Sequence, residues 1–270
     1  MHIQYRCPLC STALQLDGRS LICENGHCFD IAKEGYVNLL TVQNKRSKAP
    51  GDSAEMIQAR RRFLAKGYYT KFSKTVADIV KETSSLTLLD IGCGEGFYDQ
   101  TLLSNIPKLT VRGIDISKPA VKLCAKAMKE SQYSVASAYS LPYFDESFDS
   151  ALSIFSPLDE KEAARILKSE GHLIFCGPGK NHLKQLAEHI YDKVKPHEGN
   201  PLELEETTLD ITDKTKCQYQ VTVAQEDIPD LLMMTPYYWS CSEEKKAALF
   251  ELEQLEVNLD FEILTLKKST

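Results

Sequence analysis

Along the chain, the rhythm of hydrophobic positions changes. From residue 86 onward, short β-rich runs at 86–91, 109–114, 132–136, 148–154 and 172–176 alternate with helix-like stretches at 97–105, 119–130, 160–168 and 180–194. That alternation predicts a parallel sheet with helices on both faces. Ahead of it, Phe72, Val76, Ile79 and Val80 recur at helical spacing and predict a helix over 69–83. An earlier helix is expected over 52–66, with Asp52 as its N-cap, Glu55 at the third helical position and Gly67 as its stop. An acidic, proline-punctuated segment at 196–213 interrupts the alternation. Beyond it a strand at 216–223, a helix at 226–234 and a final strand carrying Val257, Leu259, Phe261 and Ile263 are expected. Residues 5–32 differ, with too few apolar side chains for a core, so a unit of that size needs a metal or disulfides. The turn dipeptide Pro50-Gly51 closes the basic loop that follows. These rhythms divide the chain into a small module at 1–35, a basic linker with helices at 36–84 and an α/β domain at 85–270.

Composition narrows the field. With 270 residues, 43% hydrophobic and 26% charged, the chain is built like a soluble globular protein of one large domain plus a small module. No apolar run reaches the roughly 18 residues of a membrane span, and residues 1–10 contain no apolar core of a signal peptide. A cytoplasmic protein with no membrane partner is expected. The net charge of -6 argues at first against a nucleic-acid partner. Yet residues 45–74 hold nine basic and two acidic side chains, a local balance of +7, so the other 240 residues carry -13. Candidates for phosphate contact are Lys45, Arg46, Lys48, Arg60, Arg61 and Arg62, set against the plainer reading of a solvated helix face. Tyr36, Tyr68 and Tyr69 flank this stretch and suit either base stacking or the core.

Nine cysteines, an odd number, argue against a disulfide framework in a chain read as cytoplasmic. Cys7, Cys10, Cys23 and His27 instead form C-x2-C-x12-C-x3-H, two ligand pairs that a hairpin can bring around tetrahedral Zn²⁺. Cys28 competes with His27 for the fourth position. Four filled positions mean a structural ion.

The chemistry of the large domain starts where Leu88-Leu89-Asp90-Ile91 runs into Gly92-Cys93-Gly94-Glu95-Gly96. Glycine there permits a tight turn and lets a ligand approach the backbone. The G-x-G-x-G spacing behind an acidic residue departs from the dinucleotide fingerprint G-x-G-x-x-G. Asp115 ends the next strand, where a carboxylate can accept hydrogen bonds from both hydroxyls of a ribose. Together these resemble class I, Rossmann-like S-adenosylmethionine-dependent methyltransferases. Phe155-Ser156-Pro157, His182 and the Thr235–Trp239 cluster are secondary candidates for ligand contact, with strand stop, helix cap and core packing as their structural readings. Asp159, Glu160 and Glu162 are explained by a helix start, and no residue is named as the catalytic acid or base.

Taken in order, C-P-L-C, C-E-N-G-H-C-F-D, A-K-E-G-Y-V-N-L-L, P-G-D-S-A-E-M-I-Q-A-R and L-D-I-G-C-G-E-G-F-Y are similar to blocks of the bacterial 23S rRNA guanine-N1 methyltransferases. The likeness extends over nearly the whole chain. It implies methyl transfer from S-adenosylmethionine to N1 of a guanine in the helix 35 hairpin of 23S rRNA, by a homodimer whose zinc modules help form an RNA cleft. It also implies Cys7, Cys10, Cys23 and His27 as zinc ligands and Tyr69, Gly94, Glu95 and His182 as cofactor contacts, beside Asp90, Gly92, Gly96 and Asp115 from the glycine motif. P-G-D-S-A-E-M resembles the branch acting on nucleotide 745, while C-E-N-G-H also occurs in the branch acting on 748; the expectation is 745. Two other classes fit parts of the chain. A small-molecule methyltransferase gives no reason for the zinc module or the +7 stretch, and a zinc-containing RNA-binding protein with an inactive methyltransferase domain would need a spoiled glycine loop.

Overall fold

A computed structural model describes residues 4–42, 50–194, 197, 202 and 204–269; Lys45, Arg46 and Lys48 lie outside the described residues. The first unit is a three-stranded antiparallel sheet of β1 (Leu14–Asp17), β2 (Ser20–Cys23) and β3 (Cys28–Asp30). The remaining strands are β4 (Val37–Asn38), β5 (Thr87–Ile91), β6 (Thr110–Asp115), β7 (Gln132–Val135), β8 (Phe148–Ile154), β9 (Leu167–Pro178), β10 (Leu209–Ala224) and β11 (Gln254–Lys268). They form one sheet in the order β10-β11-β9-β8-β5-β6-β7-β4. Strands β4 to β9 run parallel, and β11 lies antiparallel between β9 and β10. Helices are α1 (Ala54–Ala65), α2 (Thr70–Glu82), α3 (Phe97–Asn105), α4 (Lys118–Ala127), α5 (Glu160–Ile166), α6 (Lys184–Ile190), α7 (Ile228–Met233), α8 (Tyr237–Ser240) and α9 (Glu243–Phe250).

Strand side chains alternate between the two faces of the sheet, and both faces are buried. Leu88 packs with Val76, Val80 and Leu102 under α2 and α3. Leu89 and Ile91 join a second cluster with Leu173 and Phe175 of β9 and Ala163 and Ile166 of α5. This second cluster also takes in Tyr5, Cys7, Leu14, Leu21 and Cys23 of the first unit. Tyr5 stacks on Tyr143 with ring centroids 5.2 Å apart, and the Arg6 N–H donates to the Pro142 carbonyl at 2.9 Å. Burial of each large apolar side chain at this seam is worth roughly 1.5–3 kcal/mol, so the small unit and the large domain stabilise one another.

Some local expectations change. Ser53, not Asp52, caps α1: its backbone is extended and its Oγ accepts the Met56 N–H at 3.2 Å. Asp52 is engaged by Arg60 instead, and Glu55 falls at the second helical position. The helix expected over 180–194 shortens to α6, because Leu183 adopts a left-handed φ of 51° just before it and Tyr191 turns extended just after it. β10 starts at Leu209, inside the stretch read as an acidic interruption, because it is a largely exposed edge strand whose partner β11 supplies the buried side. α9 had no sequence assignment although Ser242 Oγ accepts the Lys245 N–H at 3.3 Å as its cap.

Candidate active site

From β5 the chain builds outward through β6 and β7 and then returns to β8 on the other side of β5. Such a reversal opens a crevice at the carboxyl ends of the strands, and a cavity of about 690 Å³ lies there. Asp90 at the end of β5, Gly92, Gly94 and Glu95 in the loop, Asp115 at the end of β6, Tyr69 before α2 and His182 after β9 all line it. Gly96 is not among the lining residues. It caps α3 from behind, where a Cβ would collide with Met128.

Two glycines of the loop face different surroundings. A Cβ at Gly92 would collide with Ser156, which follows β8. At Gly94, with φ at +55°, a Cβ would meet nothing within 4 Å except Arg60 Nη1, at 3.9 Å. Gly94 is therefore where a ligand can reach the backbone. Asp115 holds this loop: its Oδ2 accepts the Gly94 N–H at 2.9 Å and its Oδ1 accepts the Ser117 N–H at 2.7 Å. Each oxygen keeps a lone pair for another donor. Burial raises the Asp115 pKa, while the Ser117 and Gly94 N–H groups oppose the rise.

Asp90 is 2% exposed, and its Oδ1 has no partner among the described residues. Burial, reinforced by Asp99 on α3, holds its pKa well above the usual carboxylate range. Burial also raises Glu95, which Arg60 partly opposes. His182 Nδ1 accepts the Asp260 N–H at 3.2 Å, which leaves the ring proton on Nε2, 3.4 Å from the Tyr69 hydroxyl. Burial pushes the His182 pKa down to about 4, so the ring stays neutral.

The arginine triple divides three ways. Met56, Arg60 and Leu64 line the cavity at four-residue spacing, so Arg60 belongs to the inner face of α1. Its Nη2 donates to Asp52 Oδ2 at 2.5 Å. Arg62 grips Asp230 of α7 with two hydrogen bonds, of 2.7 and 2.5 Å, and Lys66 pairs with Asp227 at 3.0 Å. Arg61 is exposed and has no side-chain partner among the described residues. Tyr36 is buried in the core and Tyr68 donates to Asp227 at 2.9 Å, while Tyr69 is buried with its ring on the cavity wall, so none of the three is free to stack on RNA.

A second wall of the same cavity is aromatic, with Phe155, His197 and Tyr237. The His197 Nε2 and Tyr237 hydroxyl are 2.9 Å apart. Burial lowers the His197 pKa, which favours a neutral ring able to accept a hydrogen bond from the phenol. Sequence offered no signal for His197, an isolated histidine beside an acidic stretch. Trp239 is 71% exposed, outside the cavity lining. Asp159 caps α5 by accepting the Glu162 N–H at 2.9 Å, as the helix-start reading required.

Away from the cavity, the ligand atoms of Cys7, Cys10, Cys23 and His27 all lie within 4.8 Å of one another. Cys23 Sγ is 3.4 Å from His27 Nδ1 and 3.6 Å from Cys10 Sγ. A tetrahedron with zinc–sulfur bonds of roughly 2.3 Å has edges of about 3.8 Å, so the four fit a zinc ion. Hydrogen bonding, first from Thr12 and then from Asn25, pushes the Cys10 thiol down to about 5. Cys28 is exposed on β3 and outside the cluster, which leaves His27 as the fourth member.

The sheet order and the cavity at its reversal define a Rossmann-like S-adenosylmethionine-dependent methyltransferase, with a zinc ribbon docked on it. The family description "RlmA, N-terminal" matches residues 5–48, and "Methyltransferase domain" matches residues 89–175. The Bacillus subtilis protein YxjB, provisionally described as a 23S rRNA (guanine-N(1)-)-methyltransferase, is 34% identical over 96% of this chain and 95% of its own. The 23S rRNA (guanine(748)-N(1))-methyltransferase of Streptomyces fradiae is 34% identical over 68% of this chain and 66% of its own. A demethylmenaquinone methyltransferase of Thermotoga maritima is 29% identical over 45% of this chain and 56% of its own. The chain belongs to the family of 23S rRNA guanine-N1 methyltransferases.

Proposed function

We propose that this chain methylates N1 of a guanine in the helix 35 hairpin of 23S rRNA, at nucleotide 745. The observation that carries the reading is a single cavity joining a polar end, Gly94 and Asp115, to an aromatic end, Phe155, Tyr237 and His197. The first end suits a nucleoside cofactor and the second a base. S-adenosylmethionine would supply an electrophilic methyl group on a sulfonium. Asp115 would accept its ribose hydroxyls, the Gly94 and Glu95 backbone would help hold it, and Tyr69 and His182 would wall the side toward β9. Asp90, Gly92 and Gly96 shape the loop that makes this possible. Proximity and orientation are then the main sources of acceleration.

Guanine N1 carries a proton at neutral pH that must leave as the N–C bond forms. Tyr237 Oη accepts it while the phenol proton passes to His197 Nε2, so the charge ends on the imidazole. A loop guanine enters such a pocket more readily than a paired one. Arg61, together with Lys45, Arg46 and Lys48, contacts phosphates, while the net negative remainder of the chain disfavours RNA elsewhere. A cytoplasmic homodimer that brings two zinc ribbons to one cleft belongs to the same proposal.

The zinc ribbon favours this reading over a small-molecule substrate, because the menaquinone-type relative matches only part of the chain. N1 methylation blocks the Watson–Crick edge and stops reverse transcription. Deleting the gene should abolish the stop at the target guanine, and expressing the chain should restore it. A stop that persists in the deletion strain contradicts the proposal.

A further inference from the structure

Among the described residues, Arg60 is the one lysine or arginine lining a cavity that also holds the carboxylates of Asp52, Asp90, Glu95 and Asp115. Arg60 starts a run of three arginines, and that run hides its inward role in the sequence. The guanidinium is fixed but not saturated. Nη2 is bound to Asp52 at 2.5 Å, whereas Nε and Nη1 have no partner among the described residues. Nη1 points at the open side of Gly94, the one loop position where a ligand can reach the backbone. Its side chain is 27% exposed, and Asp52 is anchored in turn, because its carbonyl accepts the Ser117 hydroxyl at 3.0 Å.

A ligand with a sulfonium, an ammonium and a carboxylate brings two cations and one anion to this cavity. The carboxylates on the wall suit the cations, and one cationic side chain is available for the anion. We propose that Arg60 receives the terminal carboxylate of S-adenosylmethionine through Nη1 and Nε, with Asp52 acting as the positioning residue that orients the guanidinium. An arginine fork presents paired donors that match a carboxylate. This inference rests on the reading of the cavity as the cofactor site. It moves Arg60 from the RNA-facing candidates to the cofactor.

Calorimetry on the full chain tests it, using S-adenosylhomocysteine and the analogue that lacks only the carboxylate, 5′-(3-aminopropylthio)-5′-deoxyadenosine. The wild type should prefer the carboxylate ligand by about 10- to 100-fold, the range of a charge-assisted contact. Arg60→Gln should shrink that preference to about threefold or less, while Arg60→Lys, which keeps the charge without the fork, falls between. The salt slope of hairpin RNA binding should not change in Arg60→Gln. If Arg60→Gln weakens both ligands equally, the residue is merely structural and the inference is overturned. A salt slope reduced by about one with the ligand preference intact returns Arg60 to the RNA surface and also overturns it. If the wild type binds neither ligand, the cofactor reading itself fails.

Discussion

The Asp115 carboxylate accepts the backbone N–H of Gly94 at 2.9 Å, joining the end of one strand to the ligand loop of its neighbour. With Ser117 N–H on the other oxygen, Asp115 must be an acceptor on both sides. Asp115→Asn places an amide nitrogen, a donor, against one of these N–H groups. The variant should bind S-adenosylhomocysteine about 10- to 100-fold more weakly by calorimetry. Unchanged affinity would remove Asp115 from the cofactor site.

The zinc cluster separates two adjacent residues. His27 is within it and Cys28 is exposed outside it. Cys28→Ser should keep one zinc per chain by elemental analysis, whereas His27→Ala should lose it. Because the ribbon shares a buried cluster with Leu89 and Tyr143, metal loss should also lower the melting temperature of the whole chain, by about 5–10 °C. Equal zinc content in both variants would point to another fourth ligand.

Arg61 and Arg62 are neighbours with different work. Arg61→Ala should weaken hairpin RNA binding and reduce the slope of log K against log salt by roughly 0.7–0.9, the share of one phosphate contact. Arg62→Ala breaks the exposed pair with Asp230 and should leave the slope alone while costing about 0.5–1 kcal/mol in denaturant unfolding. The reverse pattern would place Arg62, not Arg61, on the RNA.

The Tyr237–His197 pair predicts an acid limb in the rate. Burial lowers the His197 pKa, so the ring is a free acceptor at neutral pH and loses that role as pH falls through the depressed value, below the usual 6.5. Tyr237→Phe should cut kcat by about 100-fold and abolish the limb, with S-adenosylhomocysteine affinity within twofold of wild type. A full kcat would assign the proton to another acceptor.

Much of this site could be read from sequence because its parts are local. A strand, three glycines and a helix follow one another between Thr87 and Asn105, and Asp115 ends the next strand. The zinc cluster is equally local, two pairs joined by a hairpin. What escaped reading was set by tertiary partners. Nothing near Arg62 announces Asp230, which lies 168 residues away, and Asp52 caps no helix because Arg60 draws it into the cavity. The inward role of Arg60 was visible in principle, in the four-residue spacing of Met56, Arg60 and Leu64, but a run of three arginines masked it. His197 meets Tyr237 only through the fold.

The most direct test supplies the purified chain with methyl-labelled S-adenosylmethionine and an unmodified helix 35 transcript of 23S rRNA, then maps the label. The account predicts one methyl group per hairpin, on N1 of guanine 745, and no label when that guanine is replaced by adenine. Label at guanine 748 would leave the reaction standing and correct the nucleotide, whereas no incorporation into the RNA would contradict the central claim.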